Sequence, residues 1–330
     1  MESCIDAYAH IGLPRFGSLA HMEASMRLGG IEKSVLVLGP KVPDLATLFD
    51  ALRVHSGRHR GIGIPFGDNE QERLELTGLQ LRAGVLGLRM EPSEVLDNPA
   101  ILDLLGQEGR WLFVTGGNLT EVLASRIVAW LNQYPAARAA APHFLNRDAG
   151  AVERLQQGSA KELLSHPKFY PILSRHGGLG SREPYPHRDF LPWVNHLAET
   201  VGWERMMWGS EYPVLFWRGE TLADVRHWID ALLPQLKQPE RHAFLLGNAQ
   251  RLFFDPSPPA QESVVIPAWI AEKFDKSRTV PLLPNGSLEL PGTVYEMLWD
   301  EFNGSAEFQE GQPLQAFLVR VLQERGEKRR

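Results

Sequence analysis

A carboxylate, a phenol and an imidazole alternate near the start of the chain, as Asp6, Tyr8 and His10 in the stretch Cys4-Ile5-Asp6-Ala7-Tyr8-Ala9-His10. In an extended strand these three share one face, and Ile5, Ala7 and Ala9 share the other. Such a face suits the floor of a polar pocket, where acid, phenol and imidazole can handle protons; it equally suits a half-buried edge strand with a solvated side. A second acid, Glu211, follows the apolar run of residues 205–209, and His143 follows an alanine-rich run. Two imidazoles and a carboxylate converging on one opening form a constellation able to activate water.

The elements around these residues alternate regularly. Apolar runs at 34–38, 84–90, 111–115 and 168–174 read as strands buried on both faces, with 4–10, 61–65, 138–143 and 205–209 completing eight. Helical periodicity lies between most of them, at 43–55 and 69–82 for example, and Asn118 is positioned to cap a helix that stops before Pro135. Strands alternating with helices imply a parallel sheet with right-handed crossovers. Eight units in about 250 residues match a (β/α)8 TIM barrel. The competing open sheet would place a glycine-rich phosphate loop after the first strand, and Ile11-Gly12-Leu13-Pro14 is not one. The barrel spans residues 1–255. A Pro-rich linker beginning at Pro256 leads into a small C-terminal extension, residues 256–330, with helices expected over 293–302 and 314–324. Leu314, Phe317, Leu318, Val321 and Leu322 form an apolar stripe there, expected to pack on the barrel or on a partner subunit of a homo-oligomer.

Barrel enzymes carry their chemistry at the C-terminal ends of the strands. Here those ends hold His10, Arg89, Thr115, His143, Arg175 with His176, and Glu211. Arg147 and Arg182 follow strand ends as well, and guanidinium groups clamp carboxylates in a bidentate manner. Arginines facing the opening would imply an anionic substrate. The loop 175–188 is a candidate lid, and Trp208, Tyr212, Phe216 and Trp217 a candidate aromatic wall.

Across its 330 residues the chain has 34 Lys and Arg against 40 Asp and Glu, a formal charge of -6 that argues against a nucleic-acid surface. A single cysteine, Cys4, rules out an internal disulfide and a thiolate-rich zinc site. No apolar stretch approaches membrane length, no signal segment is evident, and the cytoplasm is the expected location.

The stretch Trp203-Glu204-Arg205-Met206-Met207-Trp208-Gly209-Ser210-Glu211-Tyr212-Pro213 resembles the last-strand signature of the amidohydrolase-related family, roughly D-R-hydrophobic-hydrophobic-G-S-D-W-P. Asp6-Ala7-Tyr8-Ala9-His10 resembles its D-x-H-x-H. Residues 84–89, Pro142-His143 and 245–253 resemble its G-V-x-G-[VI]-[RK] strand, its strand-end histidine and its closing G-N-A-x-R-L-F helix. The motifs come in family order over residues 1–255. The resemblance, with 2-pyrone-4,6-dicarboxylate lactonase among the family's types, implies a hydrolase acting on a small carboxylated lactone or a similar carbonyl compound. It implies Glu211 as the base toward water, and His143, His10 and Tyr8 as groups steadying the carbonyl. Arg89, Arg147, Arg175, His176 and Tyr212 are the expected substrate contacts.

Many members of this superfamily are metal-dependent. A mononuclear zinc site would draw on His10, His143 and Glu211, but Tyr8 replaces the first histidine of the motif and Glu211 its aspartate. A phenol with an ordinary pKa of about 10 is a poor zinc ligand at neutral pH, and the metal-free mechanism is favoured. Two alternatives remain open: a metal-dependent nonoxidative decarboxylase, and an inactive accessory or binding protein.

Overall fold

The structure, a computed structural model, describes residues 3–13, 15–145, 151–274, 279–281 and 289–327. Eight parallel strands follow one another around a barrel: β1 (Cys4–Ile11), β2 (Ile31–Leu38), β3 (His59–Gly63), β4 (Gly87–Met90), β5 (Trp111–Val114), β6 (Arg138–Ala141), β7 (Phe169–Leu173) and β8 (Met207–Trp208). Each pairs in parallel with the next, as helical crossovers require. Just beyond β8, the Glu211 N–H donates to the Tyr8 carbonyl at 2.9 Å and the His10 N–H to the Tyr212 carbonyl at 2.7 Å, joining the last segment to the first. The expected TIM barrel is the observed fold.

The alternation expected along β1 is broken. Its register against β2 shifts between Asp6 and Ala9. As a result Ile5, Ala7 and Tyr8 all belong to the cluster filling the barrel, while Cys4, Ala9 and Ile11 pack outward against the helices. A bulge of this kind re-aims side chains near sites. Asp6 lies lower and serves as a clasp. Its Oδ1 accepts from the Ser210 N–H at 2.9 Å and the Tyr8 N–H at 3.1 Å, and its Oδ2 from the Ser210 hydroxyl. Burial pushes the Asp6 pKa up to about 6, against the opposing pull of these bonds. Gly209 is needed at this seam, because a Cβ there would come within 2.9 Å of the Tyr8 Cβ.

Trp111, Phe113, Tyr170 and Phe253 pack against one another edge-on or tilted in the barrel interior. Phe253 comes from the closing helical segment. In that segment the Asn248 amide donates to the carbonyls of Trp203 and Met206, tying it to the start of β8. This gives the Gly247-Asn248-Ala249 motif a mechanical role. The helix expected to be capped by Asn118 instead takes Thr120 as its cap, whose hydroxyl accepts from the Leu123 N–H.

In the extension, helices Gly292–Asn303, Ala306–Gln309 and Leu314–Glu327 pack on the barrel's short helix Val214–Trp217. Phe216 sits among Trp299, Phe302 and Phe308 at ring-centroid distances of 6.2, 5.8 and 6.3 Å. Leu314 and Phe317 are buried as the apolar stripe implied, but Leu322 is 69% exposed.

Candidate functional site

The mouth at the C-terminal ends of the strands holds a cavity of about 630 Å³, within the usual range for small-molecule sites. Three of its residues sit at sharp turns out of strand ends, all with left-handed backbone: His143 (φ 61°), Arg175 (φ 59°) and Glu211 (φ 56°). Side chains rarely adopt this conformation, and it recurs where function holds a residue in place.

Glu211 is the centre of the mouth and is 1% exposed. Arg175 Nε donates to its Oε1 at 2.9 Å and to its Oε2 at 3.2 Å, and Arg218 Nη1 donates to Oε2 at 2.5 Å. His143 Nε2 lies 3.4 Å from Oε1. Burial pushes the Glu211 carboxyl up, but Arg218 and Arg175 more than offset it, leaving the pKa below its ordinary value. A raised pKa in an apolar mouth would be the simplest way to make this acid a base, and the arginines reverse that sign.

The two guanidinium groups differ in what they have left to offer. Arg218 spends its Nε on Glu220 at 2.8 Å, with Nη2 2.5 Å from the same carboxylate. Arg175 touches Glu211 through Nε alone, and its side chain is 35% exposed to the cavity. Arg89, 7% exposed, lines the same cavity and has no carboxylate within ion-pair distance among the described residues. With Arg15, the cavity is lined by four guanidinium groups and one carboxylate. In a chain of net charge -6, the mouth is a local positive field that concentrates anions.

Both imidazoles are neutral. Burial pushes His10 down to about 3, and it pushes His143 well below its ordinary value with help from Arg175, Arg89 and Arg218. His10 Nδ1 lies 3.1 Å from the Val37 carbonyl, so it carries the proton and Nε2 keeps a bare lone pair. His10 therefore accepts hydrogen bonds and does not polarise a carbonyl as a donor. For His143, Ser174 Oγ accepts from the backbone N–H and lies 3.0 Å from Nδ1. The hydroxyl proton then goes to Nδ1, which leaves Nε2–H aimed toward Glu211. Tyr8 lies with its hydroxyl beside Arg89 and Thr115, and burial pushes its pKa up, so it stays a neutral donor.

Other expected residues lie elsewhere. Tyr212 is buried among Phe216 and Trp299 and does not line the mouth. His176 points the opposite way from Arg175, into a separate cavity of about 200 Å³, where its ring lies 4.4 Å from Trp228. Arg182 is exposed, and Arg147 falls outside the described residues. Of the expected aromatic wall only Trp217 faces the cavity. Arg218, Arg15, Phe16 and Gln315 line it without any signal at a strand end.

The donor set does not suit a divalent metal. Both Glu211 oxygens are held by guanidinium groups, His143 turns a proton toward them, and Arg89 adds a further positive charge. Among the described residues no group of three or more His, Cys, Asp or Glu is arranged to hold one. No described helix is long and apolar enough to cross a membrane.

Fold and mouth together define a (β/α)8 barrel whose opening at the strand ends is rich in positive charge. Residues 126–254 match the amidohydrolase family model, in line with the resemblance read from the strand-end histidine, the last strand and the closing helix. Among solved structures, a candidate 2-pyrone-4,6-dicarboxylic acid hydrolase from Pseudomonas putida superposes with TM-score 0.59 at 24% identity, over 77% of this chain and 98% of its own. An amidohydrolase from Burkholderia multivorans with bound zinc gives 0.59 at 17%, over 76% and 98%. A 2,6-dihydroxybenzoate decarboxylase complexed with 2,6-dihydroxybenzoate gives 0.57 at 12%, over 77% and 99%. At these identities the likeness shows the fold. Among curated proteins none matches the chain in sequence.

Proposed function

We propose that the mouth hydrolyses a small carboxylated lactone or similar carbonyl compound without a metal ion. The observation that carries this is a cavity lined by four guanidinium groups and one buried carboxylate, two of the four pairing with it directly. A substrate carboxylate fits the terminal N–H groups of Arg175 and the head of Arg89, which no described carboxylate holds in an ion pair. Charge drawn from Arg175 toward the substrate weakens its hold on Glu211, which then regains basicity as the site fills. Water held between Glu211 and the lone pair of His10 loses a proton to Glu211 and attacks the carbonyl. Tyr8 and Arg89 donate to the oxyanion, and His143 keeps Glu211 in place. The ring C–O bond breaks, and the leaving oxygen takes the proton back from Glu211. Fold likeness to a hydrolase of a pyrone dicarboxylate is consistent with this substrate class.

A second reading, a small-anion-binding protein without turnover, is favoured by the double clamp on Glu211, which holds the would-be base in ion pairs. One experiment separates the two. Purified protein is offered lactones with and without ring carboxylates, in the presence of a chelator. Hydrolysis of a carboxylated member, abolished in Glu211→Gln, is the expected result. Binding without hydrolysis would select the second reading, and activity that vanishes with the chelator would overturn the metal-free mechanism.

A further inference from the structure

The fold shared with the solved structures amounts to 77% of this chain and 98% of the Pseudomonas protein, about the length of residues 1–255 alone. Yet Gln315, on the last helix of the extension, lines the mouth. Its Nε2 donates to the Trp217 carbonyl at 2.5 Å. That carbonyl belongs to the short helix that carries Arg218 as its C-cap.

Trp217 in turn begins an aromatic ladder. Its ring stacks on Phe16 at 5.6 Å with planes 9° apart, and Phe16 stacks on His10 at 4.4 Å and 15°. Arg15 lies over both Phe16 and Trp217, at 5.2 and 5.8 Å. Phe16 has this position only because residue 39 is glycine, since a Cβ there would fall 1.9 Å from its ring. The ladder thus runs from the extension through the rim to a catalytic imidazole.

We propose that the C-terminal extension is a working wall of the active site: Gln315 positions Trp217, and through Phe16 the His10 ring, and it bounds the end of the cavity that receives the anionic ligand. The second half of that statement rests on the proposed function, and the first half does not. Gln315 is a positioning residue for His10. Nothing ties it to the proton transfers.

The test uses the full-length chain with Gln315→Met, which keeps the volume and removes the amide, and Gln315→Asn, whose amide is too short to reach the Trp217 carbonyl. The ring-proton resonance of His10 is set by the current of the stacked Phe16 ring. It should move in both variants, with the other histidine signals in place and the melting temperature lowered by no more than about 2 °C, as loss of one hydrogen bond implies. Amides of residues 214–218 should exchange faster with deuterium. Citrate, a small tricarboxylate probe, should bind several-fold more weakly, and KM for any hydrolysed lactone should rise more than kcat falls. A His10 resonance and an exchange pattern identical to wild type in both variants would overturn the proposal. If wild type neither binds citrate nor turns over a lactone, the proposed function fails, and the His10 resonance still decides whether the extension positions the mouth.

Discussion

Arg89→Met should move stability and ligand binding in opposite directions. Arg89 is 7% exposed, has no carboxylate partner among the described residues, and shares its cavity with Arg175 and Arg218. A buried charge without a partner costs free energy, and like charges nearby add to that cost. Methionine keeps the straight stem and removes the charge. The variant should therefore gain about 1–2 kcal/mol, against the usual loss on changing a buried residue. For a barrel of this size that is a rise of about 2–4 °C in melting temperature. Binding of a carboxylate ligand should fall by about 2–4 kcal/mol, roughly 30- to 1000-fold, because a desolvated guanidinium–carboxylate contact is lost. Thermal unfolding and titration calorimetry with one anionic ligand measure both. A variant that melts lower than wild type shows that Arg89 has a structural partner. A variant that binds the anion as tightly as wild type removes the reason for assigning Arg89 to the ligand.

Glu211→Gln should abolish turnover, a loss of about 10²–10⁴-fold for a general base, and yet bind an unreactive anionic analogue more tightly, since Arg175 and Arg218 lose their counter-charge. It should also be less stable, by about 3 kcal/mol, as a broken buried pair implies; equal affinity for the analogue would deny the competition between Glu211 and ligand. Asp6→Asn should stabilise the fold at neutral pH. The folded-state pKa of Asp6, about 6, lies above the ordinary 3.8, so between these values the native state holds the extra proton and stability falls as pH rises. The full penalty, about 2–3 kcal/mol, stands above pH 6. Denaturant unfolding from pH 4 to 7 should show the variant's advantage growing with pH and vanishing near pH 4, and a constant difference would mean that Asp6 is ionised throughout.

The barrel was legible because its strands are short apolar runs closed by glycine and proline, and such runs bury themselves in parallel sheets whatever their neighbours. Strand ends could be read too, and Tyr8, His10, Arg89, His143, Arg175 and Glu211 do meet around one cavity. What escaped lies one level up. Arg175 and His176 are adjacent, and only the left-handed turn at Arg175 decides which of them faces the mouth. Arg218 sits after a four-residue helix, where periodicity gives no direction. Tyr212 follows Glu211 yet turns toward Trp299, because the extension supplies an aromatic cluster that draws it away. Gln315 had no local signal at all, since its place depends on docking a segment nearly a hundred residues beyond the helix it touches.

Tyr8 and Glu211 stand where the resembling family has a histidine and an aspartate, and the arginines give the two departures one explanation. A site balanced around a divalent cation keeps other positive charge at a distance. Here two guanidinium groups already neutralise the carboxylate, and a neutral phenol replaces one imidazole. On the proposed reading, guanidinium groups do at this mouth the electrostatic work that a metal would do. Restoring the ligands should then fail to restore the metal. The double variant Tyr8→His, Glu211→Asp recreates the family's residues in the first and last strands, but Arg175, Arg218 and Arg89 remain beside them. At about 4 Å and an effective dielectric near 20, each such charge opposes a divalent ion by several kcal/mol. Elemental analysis of the double variant purified with zinc should find none bound in stoichiometric amount. One zinc per chain would show that the arginines do not control the field in this mouth, and the metal-free mechanism would lose its electrostatic basis.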